Sequence, residues 1–314
     1  MPCENAALSI RLGIDLGGTK IEIIAIDGAG GELLRMRGDT PRGDYYATIN
    51  GIAELVQRAE EMLGARGSVG VGIPGIESPV TGVIKNANST WLIGRPFTRD
   101  LEMTLARPVR LANDANCFAV SEAADGAAAG AKIVFGVILG TGVGGGIVID
   151  GTPLVGANAI AGEWGHNPLP WPDDDERPGP PCYCGRSGCI ESFLSGPGLA
   201  AAFARECGGT RSADEIAAAA AAGEAVAGQA MARYEHRLGR ALASIINVLD
   251  PNVIVLGGGL SNIDRLYENV PALWPRWVFS DHVATKLMKN RHGDSSGVRG
   301  AAWLWPPAPG GTAE

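Results

Sequence analysis

The sequence predicts an α/β fold. Three observations carry that expectation. Strand-like apolar runs alternate with segments of helical periodicity, glycine-rich turns follow the strand-like runs, and one unit, strand–Gly turn–strand, occurs twice.

Taken in order, Ile10–Asp27 reads as two strands around the turn GGTK, and GELLRMR (31–37) as a third, antiparallel one. Residues 45–63 carry apolar side chains at helical spacing: Ile49, Ile52, Leu55, Val56, Ala59 and Leu63. SVGVGIPG is a buried strand ending in a Gly/Pro turn, PVRLAND (108–114) another strand, and 115–124 a helix. KIVFGVILGTGVGGGIVID (132–150) repeats the opening unit, which predicts two similar halves. Residues 167–181 hold six prolines and four consecutive acids and read as a loop. One or two long helices follow over 213–249. NVIVLGGGLS (252–261) is a strand running into a third glycine turn and then a helix, and GVRGAAWLW (297–305) is a last helix that packs back on the first half. These boundaries predict a small first domain over 1–118, joined by a C-terminal helix at about 298–314, and a larger domain over 119–297.

Of 314 residues, 46% are apolar and 19% charged, enough for a sizeable core. The net charge of −8 argues against nucleic acid or an anionic membrane as the main partner, but not against a phosphorylated ligand held by backbone amides. No secretory leader and no run of 18 apolar residues is evident, so a cytoplasmic protein is expected.

Gly17 and Gly18 of DLGGTK let a backbone approach an anion, Thr19 can donate a hydroxyl, and Asp15 suits a Mg²⁺-bound water. An ordinary hairpin turn explains Gly-Gly equally well. The stretch Gly140-Thr141-Gly142-Val143-Gly144-Gly-Gly has too many glycines for a simple hairpin. Gly257-Gly258-Gly259 follows an apolar strand, where α/β sheets bind ligands. No Walker A pattern is present, and the G-x-G-x-x-G match at 140–145 precedes a strand, not a helix. Asp114 ends a strand and opens a helix; spacing alone favours reading it as an N-cap.

The motifs D-x-G-G-T-K, Asn113-Asp114, GTGVGGG, GEWGH (162–166), CYCGRSGCIE and the late GGG together resemble the ROK family of sugar kinases, over residues 11 to about 305. GVIKNANSTW, GEWGHNPLPW and HGDSSGVRGAAWLWP resemble its bacterial fructokinase (manno-fructokinase) branch. The resemblance implies the actin-like ATPase (ribonuclease H-like) fold, two α/β domains with a cleft between them. ATP phosphates would lie by Asp15, Gly17–Lys20 and Gly140–Gly144, and the nucleoside by Gly257–Gly259. Asp114 would be the general base, and Asn113 would grip a sugar hydroxyl with both ends of its amide. Glu163, His166 and Glu191 match sugar-contacting positions, and Gly75 and Asn88 match more loosely. Asp44, Glu60 and Glu61 have no such context and read as surface residues.

Cys182, Cys184 and Cys189 are spaced C-x-C-x₄-C, and fifteen residues separate His166 from Cys182. One His and three Cys make a frequent closed zinc set. A 182–184 disulfide would be strained, no CxxC pair is present, and buried free thiols suit Cys3, Cys117 and Cys207 better than this cluster. Spacing and resemblance together predict a structural Zn²⁺, with His166 also reaching the sugar through its second ring nitrogen. His236, His282 and His292 have no partners at ligand spacing. The expected activity is ATP- and Mg²⁺-dependent phosphorylation of a hexose 6-hydroxyl, fructose foremost, with mannose, glucose or N-acetylglucosamine as alternatives. A ROK repressor is disfavoured, since only about ten residues precede the first strand. The resemblance also implies a homodimer.

Overall fold

The computed structural model describes residues 10–87 and 89–306. The chain runs β1 (Arg11–Leu16), β2 (Lys20–Ile26), β3 (Glu32–Asp39), α1 (Tyr45–Leu63), β4 (Ser68–Ile73), the short pair β5 (Ile76–Glu77) and β6 (Ile84–Lys85), α2 (Phe97–Leu105), β7 (Val109–Asn113) and α3 (Asp114–Ala124). It continues through β8 (Ile133–Leu139), β9 (Val143–Ile149), β10 (Thr152–Pro153), α4 (Ile190–Leu194), α5 (Gly196–Cys207), α6 (Ala213–Ala221) and α7 (Ala225–Leu249). It ends with β11 (Val253–Gly257), α8 (Leu266–Leu273), β12 (Lys286–Lys289) and α9 (Ser296–Trp303). Two compact units result. The first comprises the chain up to Asp125, Thr152–Ala161 and the segment from Asp294 on; the second comprises Gly126–Gly151 and Gly162–Gly293. A boundary at 118/119 would cut α3, which lies whole within the first unit.

The first sheet has the order β3-β2-β1-β4-β7. β2 is antiparallel to β1 and β3, whereas β1, β4 and β7 are parallel. The parallel strands are covered on both faces, so β1 and β4 are apolar almost throughout: Leu12, Ile14, Leu16, Val69, Val71 and Ile73 are fully buried. One face carries α1, whose Ile49, Ile52, Val56 and Ala59 form a buried stripe at helical spacing. Asp44 caps that helix through the Ala47 amide (2.9 Å), so it is not an idle surface charge. Glu60 is likewise engaged: it takes Arg107 in a two-pronged pair (2.5 and 2.8 Å) and accepts from the Gly67 amide (2.9 Å).

The other face carries α9 and α3. Helix α9 lies so close that a Cβ at Gly13 would stand 2.1 Å from the Val298 oxygen, and one at Gly300 would stand 1.6 Å from the Cys117 oxygen. Glycine at both places allows backbone to meet backbone. Ser296 donates to buried Glu122 (2.8 Å) at the start of α9. The last helix thus packs on the first unit; residues 307–314, also expected in it, lie outside the described residues.

Within the second unit the strand order is β9-β8-β11-β12, with β9 antiparallel and the others parallel. The repeated design read from the sequence is therefore a repeated topology: β8–turn–β9 stands to β11 as β1–turn–β2 stands to β4. Helix α7 supplies the long apolar face of this core through Met231, Leu238, Ala241 and Leu242. The proline-rich stretch is an ordered strap held to α7, with buried Glu176 accepting from Arg237 (2.7 Å) and Arg240 (2.6 Å). Among the described residues, no helix is long and apolar enough to cross a membrane.

Candidate active site

Parallel pairing decides where the first unit's chemistry gathers. Asp15 lies opposite Gly72, and Ile73 opposite Asn113, so β1, β4 and β7 end side by side. Their carboxyl ends open into a cavity of about 610 Å³ lined by Asp15, Leu16, Gly17, Gly18, Arg42, Pro74, Ser89, Trp91 and Asp114. Four predicted site residues thus meet here: Asp15, Gly17 and Gly18 of the turn, and Asp114. Gly75 does not line the cavity; a Cβ there would stand 2.8 Å from the Ala87 Cβ. Asn88 lies outside the described residues.

Asp114 is not the helix cap. Asn113 is: its side-chain oxygen accepts from the Asn116 amide at 2.8 Å. That bond uses one lone pair of the oxygen, which leaves Asn113 its second lone pair and its NH₂ for a ligand. Asp114 occupies the first helical position, where Oδ1 accepts from the Ala115 amide (2.8 Å). Its side chain is exposed to the cavity, while protein atoms crowd around the carboxyl group. Desolvation therefore raises its pKa, against the lowering effect of the backbone amides. Asp15 is raised to about 6, by burial first, then by the negative charges of Asp114 and Glu22. Below them Cys117 is buried, and desolvation pushes its thiol well up, which keeps it inert.

The Gly17–Gly18 turn is fixed from outside. Gly17 N donates to Lys20 O (3.0 Å), Thr40 Oγ1 to Gly17 O (2.8 Å) and Arg42 Nε to Gly18 O (2.6 Å). These bonds occupy the turn carbonyls. A Cβ at Gly18 would meet nothing within 4 Å, so the protein's own packing does not demand glycine there. Thr19 and Lys20 are exposed at the turn.

In the second unit, the turn Gly140–Gly142 is held by Gly196 at the start of α5, whose amide donates to Gly140 O (2.8 Å). Thr141 is exposed there, and Gly144 is the second residue of β9 just beyond. Glu191 accepts from the Val143 amide at 2.9 Å and lies where a Gly142 Cβ would be, 2.7 Å from that Cβ position. At the third turn Gly257 ends β11, Gly258 (φ 77°) leads into a single 3₁₀ turn, Gly259–Asn262, and the expected helix follows as α8 from Leu266.

The segment GEWGH is seated by its tryptophan. Trp164 is buried in the second core and donates from Nε1 to Gly144 O (3.0 Å). Gly162 (φ 93°) and Gly165 let this turn lie on β9. Glu163 and His166 flank the anchor, Glu163 exposed and His166 half-buried. His166 stands with Cys182, Cys184 and Cys189, and one donor atom from each lies within 4.8 Å of the others. His166 Nδ1 is 3.6 Å from Cys182 Sγ, and Cys184 Sγ is 3.6 Å from Cys189 Sγ. Zn–S bonds of about 2.3 Å set tetrahedral edges of roughly 3.7 Å, so this donor set fits Zn²⁺. The second ring nitrogen, Nε2, lies 3.0 Å from the Tyr183 hydroxyl, a partner the sequence reading missed. Of the other cysteines, Cys207 is half-buried and Cys3 lies outside the described residues. His282 pairs with exposed Asp281, and His236 meets the edge of Trp277.

Comparison with known proteins gives this architecture a place. The ROK family profile matches residues 11–308. The chain belongs to the ROK family. It is 43% identical over 296 residues to an N-acetyl-D-glucosamine kinase of Photobacterium profundum, covering 93% of this chain and 98% of that one. It superposes on the ROK hexokinase from Thermus thermophilus with a TM-score of 0.83 at 32% identity, covering 94% and 97% of the two chains. A ROK glucokinase from Streptomyces griseus, in complex with glucose and AMPPNP, gives 0.72 at 27% identity, covering 94% and 98%. The fold of this ROK protein is accordingly the actin-like ATPase fold. Its named relative is an N-acetyl-D-glucosamine kinase, where the sequence motifs resembled the fructokinase branch.

Proposed function

We propose that this ROK protein transfers the γ-phosphoryl group of ATP to the 6-hydroxyl of a hexose, with Asp114 as general base. The observation that carries this reading is the Asp114 carboxylate at the mouth of three parallel strands, accessible from the cavity and raised in pKa. The sugar hydroxyl would lose its proton to Asp114 as its oxygen bonds to the γ-phosphorus. The bond to the bridging oxygen breaks, and ADP leaves with that electron pair. Mg²⁺, bound with the nucleotide, would neutralise phosphate charge, and Asp15 would orient one of its waters. The turns at Gly17–Lys20, Gly140–Gly144 and Gly257–Gly259 would hold the nucleotide. Asn113, Glu163, His166 and Glu191 would hold the sugar. Zn²⁺ on His166, Cys182, Cys184 and Cys189 would brace that region; four protein ligands leave no position for an activated water. The resemblance also supports a cytoplasmic homodimer.

For the sugar we propose fructose, on the motifs GVIKNANSTW, GEWGHNPLPW and HGDSSGVRGAAWLWP. The activity named for the Photobacterium relative supports the alternative, N-acetyl-D-glucosamine, better than it supports fructose. A coupled ADP-release assay over fructose, mannose, glucose and N-acetylglucosamine tests both. Turnover of at least one of these sugars is expected, and no turnover of any would overturn the kinase reading.

A further inference from the structure

The cavity of the first unit is lined by Asp15, Leu16, Gly17, Gly18, Arg42 and Asp114 together with Pro74, Ser89 and Trp91. Trp91 cannot swing out of that lining. Its indole N–H donates to Thr48 Oγ1 at 3.2 Å, and Thr48 is fully buried in the first turn of α1, where its hydroxyl donates to Asp44 O at 2.7 Å. Leu92, next in the chain, is fully buried and plugs the 3₁₀ turn Thr90–Leu92 into the core. The indole is therefore clamped at its nitrogen and at its backbone while its surface borders the cavity. Ser89, only 2% exposed, lines the same wall, and its hydroxyl does not cap the turn it precedes.

A clamped wall discriminates differently from a flexible one. A flexible side chain yields to a larger ligand; a fixed indole rejects any substituent that overlaps it. We propose that Trp91 selects the sugar by size, its fixed ring admitting a hexose that carries only hydroxyls and excluding one that carries an acetamido group, with Ser89 bonding a sugar hydroxyl on the same wall. The proposal rests on the hexose-kinase reading and deepens it. Trp91 and Ser89 act by contact with the substrate, and Thr48 acts as a positioning residue through Trp91.

The test is the kcat/KM ratio of N-acetylglucosamine to fructose in the full-length protein and in W91A, W91F and T48V, with KM for ATP and the thermal midpoint as controls. The wild type is expected to favour fructose. W91A should raise the ratio about tenfold or more, the scale on which pocket volume discriminates. W91F and T48V should move it the same way by less, at unchanged KM for ATP. A ratio that stays within about twofold in W91A overturns the proposal, as does a wild type that already favours N-acetylglucosamine. Should W91A fail to fold, an unchanged ratio in both W91F and T48V overturns it equally. A wild type inactive on every hexose removes the kinase reading and this proposal with it, whereas an active enzyme with an insensitive ratio removes the proposal alone.

Discussion

Glu191 joins the cysteine cluster to the β8–β9 turn: its carboxylate accepts the Val143 amide at 2.9 Å, two residues after Cys189 in the chain. The residue matched to sugar contact thus also shapes the turn matched to phosphate. Removing the acceptor leaves an amide unpaired beside that turn. E191A should raise KM for ATP about tenfold, the equivalent of roughly 1.4 kcal/mol. E191Q keeps an acceptor and should leave KM for ATP near wild type. Steady-state kinetics with ATP varied distinguishes the two.

The four-residue cluster predicts one zinc per chain. Cys184→Ser should lower the zinc content measured by mass spectrometry and raise the sugar KM, because His166 belongs to the cluster and Glu191 lies two residues after Cys189. Removal of zinc by a chelator should lower the thermal midpoint of the wild type. Full zinc content with normal kinetics in C184S would rule the assignment out.

Asp15 carries a pH signature. Its folded pKa is about 6, above the ordinary carboxyl value of about 3.9. Between those values the folded state holds a proton that the unfolded chain has released, so stability falls as pH rises through this window. Above it the full cost is present, at most about 3 kcal/mol. D15N should therefore raise the unfolding midpoint at pH 7.5 and leave it unchanged at pH 4. Equal midpoints at both pH values would contradict the assigned shift.

Glu176 acts in the opposite sense. Burial alone would raise its pKa, but Arg237 and Arg240 outweigh that and lower it. Its contribution is present above the ordinary carboxyl range and is lost as pH falls through the depressed value. E176A removes the carboxylate shared by two buried guanidinium groups, leaving Arg237 with Glu206 and Arg240 with the Trp171 carbonyl and Asp173, and should cost about 3 kcal/mol in a denaturant titration at neutral pH.

The sequence made the architecture legible because its signals are local. Two strand–turn–strand units, the stripe of α1 and the Gly-rich turns are all read within twenty residues. The cysteine set was legible for the same reason: three of its four members lie within eight positions. What stayed hidden depends on pairing across long separations. Arg42 on Gly18, Thr48 on Trp91 and Tyr183 on His166 leave no periodicity behind. The Asn113–Asp114 pair shows the limit at short range. Both residue types cap helices well, and only backbone geometry decides that Asn113 caps and Asp114 begins the helix.

The account stands most directly on Asp114→Asn. The amide keeps the shape of the side chain and cannot take a proton. The variant should bind the sugar with a Kd within about threefold of wild type by calorimetry, while kcat falls by about 10²–10⁴, the usual worth of a general base. A kcat within tenfold of wild type would contradict the assignment of Asp114 as the base.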